Sequence, residues 1–184
     1  TFGTVALAAN AVGNSIMTMS QMPGAAISLA MVTVIGQCIG AREYKQAKHY
    51  MLALTGTAYM MNLALNLSII LLMRPIIGMF QVSAQTAALA WQLGLVCCIG
   101  HFTFWPASFA LPHGLRAAND VKFTMIISIV SMWVFRVGFS DVLGLMFELG
   151  VLGVWCAMLV DWLFRAVVFF VRLMSGKWQN RQFI

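Results

Sequence analysis

Three sets of side chains in this 184-residue sequence could do chemistry. The run His101-Phe102-Thr103-Phe104-Trp105-Pro106 places an imidazole among aromatic rings beside a proline. Pro106 has no N–H, so it releases the carbonyl one turn back, that of Phe102. Such a site could hold a flat cation against the rings and sense protons. The plainer reading is a neutral His bonded to a neighbouring helix. Asn10, Asn14, Thr18 and Gln21 recur at spacings of four, four and three, which aligns them on one stripe of a helix. That stripe either hydrogen-bonds to other helices or walls a hydrated cavity. Asp161 and Arg165 stand at i,i+4 and can form a structural ion pair. Arg165 is also able to snorkel to headgroups.

No catalytic constellation accompanies these groups. HExxH, GxSxG and Walker motifs are absent, and so are paired carboxylates within the apolar runs. Cys38, Cys97, Cys98 and Cys156 have no ligand-like spacing and read as small buried hydrophobes. His49, His101 and His113 are too scattered to suggest a metal site. The 14 Met suit lipid-facing or core filler, and also a site that repacks around varied ligands. Neither an enzyme nor a cofactor is expected.

The elements that position these groups follow from composition. Apolar residues make up 61% of the chain and charged ones only 9%, against roughly a quarter in a soluble domain. Mean hydropathy is +0.89. The net charge of +6 is scattered between apolar runs rather than gathered into a stripe, which excludes a nucleic-acid partner. The pattern is that of an all-α, polytopic helical membrane protein with the lipid bilayer as its solvent.

A helix needs about 20 apolar residues to cross about 30 Å of hydrocarbon. Uncharged stretches predict five spans, at about 5–38, 48–72, 86–111, 122–140 and 150–173, followed by a polar tail over 175–184. The first stretch is long enough for two short spans with a hairpin at Met22-Pro23-Gly24. One long helix kinked at Pro23 is preferred, because neighbouring helices re-satisfy the freed carbonyl. Gly36 and Gly40 form a small-xxx-small pair suited to close packing.

Five spans put three segments on one side. They carry Arg42, Lys45 and Lys48; Arg116 and Lys122; and Arg172, Lys177 and Arg181, eight of the 11 basic residues. Arg74, with Asp141 and Glu148 nearby, falls opposite. By the positive-inside rule the basic side is cytoplasmic. The chain is therefore expected as a multi-pass protein of the cell (inner or plasma) membrane, with its N-terminus outside and its C-terminus cytoplasmic. It opens TFGTVALAAN, without Met or a basic leader, which reads as a processed chain or a fragment. A preceding helix would supply a sixth span.

The segment Ile35-Gly36-Gln37-Cys38-Ile39-Gly40-Ala41-Arg42 resembles the GQ-x-x-GA element of multidrug and toxic compound extrusion (MATE) transporters. Leu111-Pro112-x-x-Leu115-Arg116-Ala117-x-x-Asp120-x-Lys122-Phe123 is similar to their LP-x-x-LRA-x-x-D-x-KF stretch. Trp133, Arg136, Gly153-Val154-Trp155, Asp161-Trp162-x-x-Arg165-Ala166, Arg172 and Ser175-Gly176-Lys177-Trp178 extend the likeness to the end. The resemblance implies twelve helices in two six-helix lobes, with this chain supplying helices eight to twelve of the C-terminal lobe. It also implies export of organic cations or other amphipathic compounds in exchange for H+ or Na+, by alternating access with a missing N-terminal lobe and preceding helix. The span matching helix ten holds no Asp or Glu, so no coupling carboxylate is carried over. The candidate cavity residues are Asn10, Asn14, Thr18, Gln21, His101, Phe102, Phe104 and Trp105. A scaffold or lipid-handling subunit that does not transport is the alternative.

Overall fold

A computed structural model describes residues 3–139 and 150–180. Asp141, Glu148 and Arg181 lie outside the described residues. The chain is a helical bundle: α1 (Gly3–Gly40), α2 (Tyr44–Leu71), the short α3 (Met73–Gly78), α4 (Ala84–Thr103), a π-helical stretch (Pro106–Ala110), α5 (Leu111–Ala117), α6 (Val121–Ser131) continuing into a second π-helical stretch (Met132–Phe139), and α7 (Gly150–Met174). A 3-10 turn over Lys177–Asn180 follows. Five of these segments are long and apolar enough to cross a membrane.

α1 is a single helix of 38 residues with Pro23 inside it, rather than two spans joined by a hairpin. The third span is also interrupted by proline. After α4 the Leu111 N–H bonds to the Pro106 carbonyl, five residues back, which is the wide turn of a π-helix. Pro106 cannot donate to the preceding turn, and the extra residue absorbs the mismatch.

The helices are apolar outside and partly polar inside, as lipid demands. α2 buries Ala47, Met51, Thr55, Ala58, Asn62, Asn66 and Ile69, a stripe at three- and four-residue spacing. Its opposite face exposes Met60, Met61, Leu63 and Leu67. α6 is more extreme. It buries only Thr124 and Ser131, while Met125, Ile126, Ile129 and Val130 face outward. With no water around it, the bundle hides polar side chains and shows hydrocarbon.

The three basic segments meet at one end of the bundle. Tyr44, just past the α1–α2 turn, packs its ring 6.5 Å from that of Trp178, in the turn after α7. Asp120, between α5 and α6, receives the Arg172 guanidinium on both oxygens, at 2.7 and 3.2 Å. Phe123 lies under the same guanidinium at 4.4 Å. Asn119 adopts a left-handed φ of 67° here, which an Asn tolerates. That turn delivers the buried carboxylate of Asp120 to α7.

Helices approach most closely at glycines other than the Gly36–Gly40 pair. A Cβ built at Gly36 or Gly40 would meet nothing within 4 Å, so that pair forms no seam among the described residues. At Gly24, the residue after Pro23, a Cβ would lie 2.3 Å from Trp105 Cζ3. The proline-broken parts of α1 and α4 thus touch through a missing side chain. Gly24→Ala should lower thermal stability by about 1–3 kcal/mol through overpacking, whereas Gly36→Ala should leave it unchanged. Melting curves of the purified variants in detergent decide this.

Candidate functional site: two helix breaks joined by α2

The interior of the lobe is organised around the two prolines. Pro23 has no N–H for the Met19 carbonyl and opens the turn beside it. The next donor, the Gly24 N–H, bonds to Asn62 Oδ1 at 3.1 Å. The Ser20 carbonyl, which in a regular helix takes the Gly24 N–H, accepts from Asn66 Nδ2 at 3.3 Å. Asn62 Nδ2 reaches the other way and donates to the His101 carbonyl at 3.3 Å. That carbonyl lies one turn before Trp105, at the distorted end of α4. One Asn side chain therefore serves both breaks. Asn66 Nδ2 also donates to the Asn62 carbonyl at 2.8 Å, which holds the two amides in register. Both Asn residues are fully buried.

His101 lies beside this clasp and is itself fully buried. Its Nδ1 is 2.9 Å from the Cys97 carbonyl, an acceptor only, so Nδ1 carries the proton. The Cys97 Sγ stands 3.4 Å away. Trp105 stacks on the imidazole with centroids 6.1 Å apart, and Trp162 meets it edge-on at 5.0 Å. Nε2 has no hydrogen-bond partner among the described residues, and neither does the indole N–H of Trp162. Ser108 donates from Oγ to the Trp162 carbonyl, tying the π-helical stretch to α7.

On either side of Trp162 along α7, Asp161 and Arg165 form a buried ion pair at 3.0 Å. The guanidinium turns inward rather than toward headgroups. It donates to Ser131 Oγ at 2.7 Å and to the Ser128 carbonyl at 3.1 Å, and lies 5.6 Å from the centre of the Phe109 ring. The hydroxyl hidden by α6 thus exists to receive α7. At the basic end His113 is half-buried. Burial first, and the Arg116 charge second, hold its pKa below the usual histidine value.

The sequence candidates separate into two places. Asn14 and Thr18 are exposed on the face of α1 turned away from the other helices, with Gln21 half-buried beside them. Thr18 Oγ1 donates to the Asn14 carbonyl at 3.0 Å. Asn10 is half-buried and accepts from Trp155 Nε1 at 3.0 Å, so the N-terminal end of the stripe is tied to α7. His101 and Trp105 are in the interior, while Phe102 and Phe104 are half-buried. Phe104 lines an apolar cavity of about 460 Å³ with Tyr59, Thr103 and Phe170. The aromatic run on α4 and the polar stripe on α1 do not share one surface. Among the described residues, no three His, Cys, Asp or Glu side chains come together as metal ligands.

Sequence reasoning passed over Asn62 and Asn66. Their signal was available: two amides at i,i+4 in an otherwise apolar span, the same spacing that marks the α1 stripe. Asn62→Leu strands a buried N–H on α1 and a buried carbonyl on α4, at about 1–3 kcal/mol for each group. The variant should melt earlier, and amide exchange should rise around Gly24 and around His101 together. Hydrogen-exchange mass spectrometry reads both segments in one experiment. Loosening confined to α2 would contradict the clasp.

Residues 1–141 match the family model described as MatE. The chain is 29% identical over 184 residues to the probable multidrug resistance protein NorM of Thermotoga maritima, an alignment covering 97% of this chain and 38% of that protein. It is 27% identical over 154 residues to the probable multidrug resistance protein YoeA of Bacillus subtilis, covering 84% and 33%. A third relative, the uncharacterized transporter YisQ of Bacillus subtilis, is 24% identical over 160 residues, covering 84% and 34%. The chain spans about a third to two-fifths of the length of the curated relatives it matches. With the family model matched over most of its length, and five apolar helices of membrane-spanning size, the chain belongs to the MatE family.

Proposed function

We propose that this chain is the C-terminal lobe of a multidrug exporter that expels organic cations or other amphipathic compounds in exchange for H+ or Na+. Alternating access would come from this lobe rocking against an N-terminal lobe and a preceding helix. In this reading the protein sits in the cell membrane with its basic end cytoplasmic. The observation that carries the proposal is the outward face of α1. Asn14 and Thr18 are exposed there, on a helix that otherwise presents Leu7, Met19, Met22 and Leu29. Polar groups turned toward lipid are costly, so the stripe is best accounted for as the wall of a hydrated cavity shared with the other lobe. The exposed Met19 and Met22 beside it are soft and unbranched, suited to ligands of varied shape.

His101 is the proton-responsive group in this reading. Among the described residues its titratable contact is the Cys97 thiol. Asp161 and Arg165, on the helix that carries Trp162, are bound to each other. A proton added at Nε2 would need an acceptor that the described residues do not offer. Supplying one requires water entry or a shift of α4 against α7. Through the His101 carbonyl and Asn62, that shift would be felt at Gly24 and at the α1 stripe.

Export of a fluorescent cation from cells making the full-length chain tests the proposal. Efflux driven by a proton or sodium gradient is expected, and efflux under neither would favour a non-transporting membrane subunit. Replacing Asn14 with Leu and Thr18 with Val together should weaken substrate binding about tenfold, or ~1.4 kcal/mol, without lowering the melting temperature. An unchanged KM would place the stripe against lipid or another helix. His101→Gln keeps a donor for the Cys97 carbonyl but cannot titrate. It should flatten the pH dependence of export, and a profile identical to wild type would remove His101 from the coupling.

A further inference from the structure

At the end of the bundle opposite the basic segments, α3 and the start of α4 border an open cavity of about 480 Å³. Its lining includes Arg74, Gln81, Trp91 and Gln92 above an apolar floor of Ile77 and Val82. Arg74 is the only charged residue between Lys48 and Arg116. Among the described residues no hydrogen bond or ion pair holds its guanidinium. Glu43 and Asp120 belong to the far end, and Asp161 is bound to Arg165.

The surroundings fix the depth of this cavity. Leu71 and Met79 flank it at 82% exposure each, with Leu72 and Phe80 also exposed. Four large apolar side chains exposed on a short connection favour acyl chains over water, which suits the boundary between headgroups and hydrocarbon. An indole at that level is at home, and a cation there needs phosphate.

We infer that this cavity binds the headgroup of an anionic phospholipid, with phosphate on Arg74, the glycerol of a phosphoglycerol head on Gln81 and Gln92, and the upper acyl chains against Ile77 and Val82. Among the described residues the cavity lining carries no carboxylate; Asp141 and Glu148 lie outside them. A zwitterionic head would bring its ammonium to Arg74 with no counter-charge, which disfavours choline and ethanolamine lipids. Guanidinium to phosphate is a charge-assisted contact and is the part that sets affinity. This inference depends only on the chain being embedded in a bilayer, not on the transport reading.

The test uses the purified full-length protein, delipidated in detergent and melted with added dioleoyl phosphatidylglycerol or, separately, dioleoyl phosphatidylcholine. Phosphatidylglycerol should raise Tm by several degrees more than phosphatidylcholine, because it binds the folded state alone. Arg74→Gln should lose most of that difference and weaken lipid retention in native mass spectrometry about tenfold. Gln92→Ala, at an exposed position, should lose part of it with the basal melt unchanged. Equal effects of the two lipids, or a full phosphatidylglycerol effect in Arg74→Gln, would overturn the inference. So would the same Tm increment from inorganic phosphate alone, which would make the cavity a site for soluble anions.

Discussion

Inside a bilayer, a backbone N–H or carbonyl that loses its helical partner has no water to turn to. Two of the five spanning helices contain a proline at mid-depth, so the lobe must supply replacement partners from within. It does so with two amides on one face of α2. Asn62 accepts from the Gly24 N–H and donates to the His101 carbonyl, and Asn66 donates to the Ser20 carbonyl. An amide side chain is the right chemistry because it carries an acceptor and donors on one rigid plane. The absence of a side chain at Gly24 completes the arrangement by letting Trp105 lie against α1. The breaks in α1 and α4 are consequently one structural feature held by α2.

The same demand explains where the charges go. Arg165 is surrounded by Asp161, Ser131, the Ser128 carbonyl and the Phe109 ring, so its cost is spread over several partners. Arg172 and Asp120 do the equivalent work at the basic end, where they join the α5–α6 turn to α7. α6 contributes few buried groups, and they are hydroxyls that meet arginines. Polar contacts fasten the outer helices to the inner ones, while their apolar faces are left for lipid. The polar stripe on α1 is the departure from this rule, and for that reason it is the surface on which the transport proposal rests.

Much of this was legible beforehand. Long uncharged runs identified the spans because hydrocarbon thickness sets a minimum apolar length. The basic residues fell into three segments that the structure brings to one end. The i,i+4 spacing of Asp161 and Arg165 pointed to their pairing, since those positions face each other on any helix. Pattern failed where it named a residue type without a neighbour. Gly36 and Gly40 have the spacing of a packing seam, yet the close contacts fall at Gly24 and Gly100, opposite tryptophan and leucine side chains of other helices. Asn62 and Asn66 were overlooked because their partners lie 38 to 46 residues away in the chain.

By itself, the sequence determined which five of the described helices are long and apolar enough to cross a membrane, because transfer of apolar side chains to lipid is summed locally along each helix. It also determined where helices must bend, since proline lacks its donor in any context. Which groups repair those bends, which face of α1 is left uncovered, and whether His101 meets water or tryptophan were decided only by tertiary packing. Those outcomes depend on the rotation of each helix against its neighbours, and that rotation is fixed by contacts between residues far apart in the chain.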